Sequence, residues 1–416
     1  MSVERLTCGL LLAAVLIGNA TADPYHHINL LVGDRAAGLG GAYVAVADDP
    51  AGLYYNPAGI AYGGRANLSA SMNAYHIIER RYRNVLGGRD WVRRSSALLP
   101  NFFGVTQPLG PGVIGFSYAV PDAIAEDQNQ QIPGVPTILA EENATYTINF
   151  TNQDTTYLAG PSYALPLSPR LAVGLTLYGH LRSQKIIINQ QFTFSDPSRY
   201  HWENSYSERS EYGLRPLLGL MYTPLERLSL GLTLARTWIL SADEFDQLSC
   251  AGMNGYDYGG GLCQGGALQL IRQQRPLQRR LPWSATVGAA YFPSPTLLVS
   301  AQLSLYQDLA AGGLPQWNLA GGAEYYLTPR LALRLGLFSD NANTAEIRPG
   351  RSDQDEHIDL LGASMSLSRF TRTTSLTLGA NFRAGEGQAQ ILNGQNRIQT
   401  VTARAVTVFV ASSYSY

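Results

Sequence analysis

The sequence predicts an all-β protein, a transmembrane barrel of 14 antiparallel strands with a small N-terminal segment inside its lumen. Three observations predict it. From residue 66 onward, stretches of 10 to 15 residues alternate large apolar with small or polar residues, the period of a β-strand. Short turns, usually with proline, alternate with long polar connections, so one end of the barrel is smooth and the other ragged. The chain also opens on an export signal and ends on an aromatic residue.

Residues 1–22 read as a secretory signal peptide. Arg5 is its positive start, Leu6 to Gly18 its apolar stretch of 13 residues, and Ala20-Thr21-Ala22 the small-x-small cleavage site. That stretch is too short for a membrane-spanning helix, and no later apolar run approaches the 18 or so residues such a helix needs.

Residues 23–65 do not alternate. They are rich in Ala and Gly, with turn and helix-start chemistry at Asp48-Asp49-Pro50 and at Asn56-Pro57-Ala58-Gly59. A segment with this apolar content is a poor linker in water, and the barrel mouth is the economical place for it, as a plug.

Residues 66–416 carry the barrel. The periodicity predicts strands near 66–80, 96–108, 112–122, 155–167, 170–185, 210–224, 226–240, 280–292, 296–308, 316–328, 330–340, 357–369, 373–384 and 402–416. Leu171, Val173, Leu175 and Leu177 share one face, and Leu331, Leu333, Leu335 and Leu337 another. Turns such as SPRLAVGL at 168–175 and TPRLALRLGL at 328–337 lead straight into strands. The long connections are 123–154, 186–209, 241–279, 341–356 and 385–400. The small and polar face, with Glu324, Arg334, Ser364, Ser366 and Arg383, is expected inside, because lipid demands an apolar exterior. Fourteen such strands could not fill a dry core, which weighs against a secreted β-sandwich or propeller. Trp238, Trp283, Tyr291, Trp317 and Tyr325 near strand ends suit interfacial girdles. In the last strand Val406, Val408, Val410, Ser412, Tyr414 and Tyr416 share a face, like the terminal signal by which outer-membrane barrels are inserted.

The chain has 416 residues and a net charge of -1, with 15% charged residues and a single lysine, Lys185. This composition excludes a nucleic-acid binder. Without Cys8, removed with the signal, Cys250 and Cys263 remain, and an oxidising compartment favours a disulfide between them over a metal site short of ligands. Gly38-x-Gly40-Gly41 lacks the strand and βαβ context of a nucleotide loop. Adjacent His26 and His27 are expected in a solvated tail, and His180 in the wet lumen. No catalytic constellation, metal set or cofactor is expected. For a ligand, Ile187, Phe192, Phe194, Tyr200, Trp202 and Tyr206 are unusually apolar for a surface loop and are expected to form part of a capture groove, with simple strand extension as the alternative. A lateral exit needs a broken ladder; Pro161 and Pro216 fall within predicted strands, and Gly160-Pro161 is the candidate for a kink beside a wall opening, with an ordinary bulge as the alternative.

The 33–61 segment resembles the N-terminal hatch of the FadL family of outer-membrane transporters for long-chain fatty acids and other hydrophobic compounds. The match is Arg35, Ala36, Gly38, Gly40, Gly41 and Ala42, then Ala47, Asp48 and Asp49, then Asn56, Pro57 and Ala58. The resemblance implies 14 strands behind a hatch, a Gram-negative outer-membrane location, and passive uptake of a hydrophobic small molecule. Relatives with the same string act in secretion or assembly, so a protein-interaction role at the cell surface is the alternative. A signal peptide (1–22), a hatch (23–65) and a barrel (66–416) are therefore expected, as a non-enzymatic monomer in contact with outer-membrane lipid.

Overall fold

The computed structural model describes residues 26–63, 66–86, 88–136, 143–196, 200–252, 268–307, 316–391 and 396–416. Fourteen strands make one antiparallel sheet among these residues. They are β1 (Asn67–Leu86), β2 (Arg89–Leu109), β3 (Gly112–Pro136), β4 (Asn143–Ser168), β5 (Leu171–Thr193), β6 (Tyr200–Leu225), β7 (Leu228–Arg236 and Trp238–Gly252) and β8 (Gln269–Pro276 and Trp283–Ser294). They continue with β9 (Leu297–Tyr306), β10 (Gln316–Thr328), β11 (Leu331–Asp340), β12 (His357–Ile358 and Leu360–Phe370), β13 (Thr374–Ala389) and β14 (Gln399–Ser415). The ladder closes where Asn67 of β1 meets Ser415 of β14. A closed sheet satisfies its own backbone, the condition for crossing lipid with strands.

The lower wall follows the alternation. Leu175 and Leu177 point out and are exposed, while Thr176 and Tyr178 point in and are buried. Leu335 and Leu337 point out, and Arg334 and Gly336 point in. Glu324, Arg334, Ser364, Ser366 and Arg383 are all buried in the lumen. Trp238, Trp283 and Trp317 lie exposed on the outer face. An apolar exterior around a polar interior makes this an outer-membrane barrel.

The wall is taller than the periodicity predicts. The described residues of the connections expected at 123–154, 186–209 and 241–279 are largely strand, because β3 to β8 continue through them. Above the bilayer the alternation inverts. On β4, Tyr146, Ile148 and Phe150 are buried inside, while Thr147 and Asn149 face out. Water replaces lipid outside there, so an outward apolar row no longer marks a strand. β4, β5 and β6 have 26, 23 and 26 residues, whereas β9, β10 and β11 have 10, 13 and 10. With the usual rise and tilt these are heights of about 60 to 65 Å against about 25 to 35 Å, so the rim is high on one side and low on the other. The first hairpin is also tighter than predicted: Leu86 pairs with Arg89, and Gly88 has φ 75°. Cys250, at the top of β7, is disulfide-bonded, and Cys263 lies outside the described residues.

Candidate functional site

The segment before β1 forms two short helices, α1 (Asp34–Gly38) and α2 (Gly52–Tyr55), and a 3-10 turn over Pro57–Tyr62. Gly40 and Gly41 follow α1 with φ of 66° and 84°, a backbone that only glycine adopts without strain. So little regular structure leaves backbone groups unpaired, and they must find partners. The inward face of the wall supplies them. Gln302 accepts from the Tyr43 and Val44 amides at 3.0 and 3.2 Å. Ser300 donates to the Ala42 carbonyl (2.8 Å), Ser364 to Gly38 (3.0 Å) and Thr176 to Leu53 (2.9 Å). This packing needs close approach. A Cβ on Gly336 would lie 2.2 Å from the Gly40 nitrogen, and one on Gly174 would lie 2.4 Å from the Pro57 carbonyl carbon. The inward glycines are therefore room for the segment.

The resemblance residues hold this arrangement. Arg35 donates twice to Glu324 of β10 (2.8 and 2.9 Å) and once to Asp48 (2.6 Å), and Arg334 of β11 donates to the same Glu324 at 2.5 Å. Asn56 is fully buried. Its amide donates to the carbonyls of Val44 (2.7 Å) and Leu220 (3.1 Å), and its oxygen accepts from the Ala58 amide, so it caps the Pro57 turn and ties it to β6. Asp49 accepts from the Ala51 amide at 2.8 Å. Burial, with Asp34 and Asp48 near, pushes its carboxyl up to about 6.

His26 and His27 are not a solvated tail. His26 is buried with Nε2 2.7 Å from the Ile358 carbonyl, and His27 stacks on Tyr306 with ring centroids 3.7 Å apart. Burial pulls His27 down to about 4. The sequence offered no signal for this, because the partners are more than 270 residues away.

The two shifts have opposite signs. Asp49, raised, contributes docking stability that is lost as pH rises from about 4 to about 6. His27, lowered, contributes stability that is lost as pH falls from its ordinary value toward about 4. Each amounts to something on the order of 3 kcal/mol at full effect. The expected result is docking of the 26–63 segment that is nearly flat between pH 4 and 6. Asp49→Asn makes it weaken toward acid, and His27→Gln makes it weaken toward neutrality. Amide hydrogen exchange of the segment against pH checks both slopes.

A cavity of about 550 Å³ lies between this segment and the wall of β3 to β11. Tyr54, Tyr55, Tyr306 and His27 give it ring surface, and Arg182, Glu211 and Arg215 give it charge, with His180 beside them. Above it, Tyr82, Trp91, Ile132, Phe150, Ile186, Ile188, Phe192 and Ile358 pack into an apolar cluster, with Phe194 against it. The six residues expected to form a groove divide between two faces. Phe192 and Phe194 join the inner cluster, while Ile187, Trp202 and Tyr206 lie on the opposite face of the β5–β6 hairpin and Tyr200 is exposed at its start. They lie on paired strands, not in a loop, and strands send successive residues to opposite faces. Ile186 and Ile188, the inward neighbours of Ile187, belong to the inner cluster as well.

The wall is broken between β2 and β3. Ser95 pairs with Glu126 above and Phe102 with Ala119 below, and no ladder pair joins 96–101 to 120–125. Each strand keeps its other neighbour across this stretch. Pro100 and Pro121 lie in the break and have no N–H to satisfy. The Leu30 amide donates to the Pro121 carbonyl (3.0 Å), Ser95 Oγ accepts from the Ala125 amide (2.9 Å), and Asn101 donates to the Leu31 carbonyl (3.0 Å). Leu30, Val120 and Ala123 form an apolar patch with Leu99 and Tyr118. Pro121 lines both the break and the cavity. The prolines at 161 and 216 mark smaller irregularities: the β4–β5 ladder skips only from Ala159 to Ser162, and Pro216 keeps Leu177 as its partner.

No protein-family model matches the sequence, and no curated protein matches it. Solved structures do. A FadL homologue from Pseudomonas aeruginosa superposes with a TM-score of 0.65 at 14% identity, over 94% of this chain and 99% of that one. The CymD monoaromatic hydrocarbon channel gives 0.59 at 13% identity, over 94% and 99%. The Ralstonia pickettii toluene transporter TbuX gives 0.59 at 14%, over 93% and 99%. Together with the closed ladder of 14 strands and its apolar exterior, these likenesses show that the chain has the fold of the FadL-type outer-membrane channels.

Proposed function

We propose that the protein is a passive, non-enzymatic outer-membrane channel for hydrophobic small molecules. Residues 26–63 serve as its hatch, and the β2–β3 break is the exit into the bilayer. The observation that carries the reading is the break itself, because an apolar patch at its edge meets the lumenal cavity at Pro121. Free energy favours this route over one through the periplasm. Exposing apolar surface to water costs about 25 cal/mol per Å², so a solute with about 200 Å² of it faces roughly 5 kcal/mol on an aqueous path. A lateral step into lipid exposes none. Transport then needs no energy source, only a downhill gradient. The ladder closes within one chain, so the barrel needs no second copy to complete its wall. Phe192 and Phe194, in the apolar cluster above the cavity, are placed to take a ligand on its way down.

Long-chain fatty acids and aromatic hydrocarbons are the two candidate classes, and the structures above are FadL and monoaromatic hydrocarbon channels. Labelled toluene and labelled hexadecanoate offered to cells that carry or lack the protein separate them. Leu98 is 69% exposed within the break. Leu98→Cys, carrying a bulky lipid-soluble maleimide, is expected to lower uptake about five-fold against the unmodified variant. If neither compound enters faster with the protein present, while a surface protein goes missing on its deletion, the channel reading gives way to the secretion role.

A further inference from the structure

A second interruption lies in the wall, between β7 and β8. Trp283 pairs with Arg236 below it, and Pro276 pairs with Asp243 above it. Only one backbone bond enters the interval, from the Leu277 amide to the Ala242 carbonyl at 2.8 Å. Toward β9 the last ladder pair is Ser284 with Tyr306, capped by the Gln307 amide on the Trp283 carbonyl. Among the described residues, 278–282 therefore belongs to neither neighbouring ladder.

Its height is set by the strand below. Arg236 lies eight residues above the start of β7 at Leu228. That is about 27 Å along the strand and about 20 Å along the bilayer normal, so the interval above it stands near the top of an apolar band about 25 Å tall. Trp238 and Trp283 meet edge to face there at 6.2 Å, and Arg236 lies over the Trp283 ring at 5.5 Å. Aromatic rings and arginines at this depth mark the headgroup layer.

The interval opens inward. Arg279, Arg280, Leu281 and Pro282 all line the same cavity that reaches Pro121 at the β2–β3 break. Arg279 donates to Glu211 at 2.6 Å. Arg280 is exposed and has no ion pair among the described residues. Arg215, further in, is half-buried over the Tyr54 ring at 5.8 Å and also has no ion pair among them. An arginine at the rim and another inside form a cationic track beside aromatic surface.

We infer that the β7–β8 interruption is a second mouth, at the headgroup layer of the outer leaflet, through which the cavity takes in anionic amphiphiles drawn from that leaflet. Arg280 meets the anionic head and Arg215 receives it, while the chain follows the apolar wall. The inference rests on the channel reading above and adds a point of entry to it. The mouth stands next to the low wall of β9 to β11, and the apolar cluster fills the lumen elsewhere, with no residue from β6 to β11.

The test uses the full mature chain in lipid vesicles with Leu281→Cys as a reporter. Hexadecyl phosphate is expected to slow labelling of this cysteine by a thiol reagent, and hexadecanol, with the same chain and no charge, is not. Adding Arg215→Ala and Arg280→Ala is expected to weaken that protection about ten-fold, equivalent to about 1.4 kcal/mol. In cells, a bulky adduct on Leu281→Cys is expected to lower hexadecanoate uptake by a larger factor than toluene uptake. Equal protection by alcohol and phosphate overturns the anionic selectivity. Protection by the phosphate with undiminished hexadecanoate uptake makes the interruption a resting place for a lipid headgroup, and overturns entry. No protection by either, with toluene uptake and its block at Leu98→Cys intact, overturns the second mouth and leaves the channel reading standing. Loss of all protein-dependent uptake in the parent protein removes the channel reading itself.

Discussion

Gly336→Val is expected to unseat the hatch while leaving the barrel folded. The added Cβ would lie 2.2 Å from the Gly40 nitrogen and 2.3 Å from the Leu39 carbonyl carbon. Both are backbone atoms and cannot rotate away. Outside, Leu335 and Leu337 still face lipid, and the β10–β11 and β11–β12 ladders are untouched. The variant should insert and keep its compact gel mobility. Its ion conductance in a planar bilayer should rise about ten-fold or more, because a lumen of 14 strands without its filling is wide. Protease should then cut within 26–63. Gly321→Ala is the control, since a Cβ there meets only the Ser300 carbonyl at 3.8 Å. Unchanged conductance and unchanged protease resistance in Gly336→Val would mean that the segment does not plug the lumen.

Glu324→Gln is expected to have the next largest effect. Glu324 is 1% exposed and shared by Arg35 and Arg334, whose side chains are 16% and 3% exposed. The amide keeps the shape and removes the only negative charge held jointly by the two guanidinium groups. Removing one partner of a buried pair leaves uncompensated charge and costs about 3 to 5 kcal/mol. Most of that cost should fall on hatch docking, because Glu324 joins Arg35 to the wall; without it Arg35 keeps only Asp48 of its own segment, and Arg334 keeps Ser368. Urea-dependent proteolysis of 26–63 measures it. A triple change of Arg35, Glu324 and Arg334 to apolar residues should recover much of the loss, since the buried set is not intrinsically stabilising. A cost below about 1 kcal/mol for Glu324→Gln alone would show that the ion cluster does not anchor the hatch.

Much of the fold was legible because lipid imposes a simple rule. Where the wall meets hydrocarbon, outward positions must be apolar, so Leu171 to Leu177 and Leu331 to Leu337 declare both strand and face. The periplasmic turns at SPR and TPR were equally plain. Legibility ended at the membrane surface. Residues 143–156 and 186–193 continue the ladder with the alternation inverted, and a rule tuned to lipid takes them for loops. The candidate ligand residues suffered most. Phe192 faces the lumenal cluster while Ile187 faces away, because both lie on β5 an odd number of positions apart and a strand sends such positions to opposite faces. The break between β2 and β3 was hidden for a related reason. Pro100 and Pro121 are no more conspicuous than Pro161, and only pairing reveals which proline sits where a ladder is missing.

The sequence by itself determined the class of protein: an exported chain, strands of period two, short turns at one end, and an Ala- and Gly-rich leader carrying Arg35, Asp48, Asp49 and Asn56. These are local properties, written in neighbouring residues and in the solvent each face must meet. Only the tertiary structure decided how tall the wall stands, where it opens, and that Arg35, Glu324 and Arg334 share one cluster. Those depend on register and closure, which bring residues some 290 positions apart into contact. Backbone pairing between distant strands is fixed by the whole ring at once, and no single stretch of chain contains it.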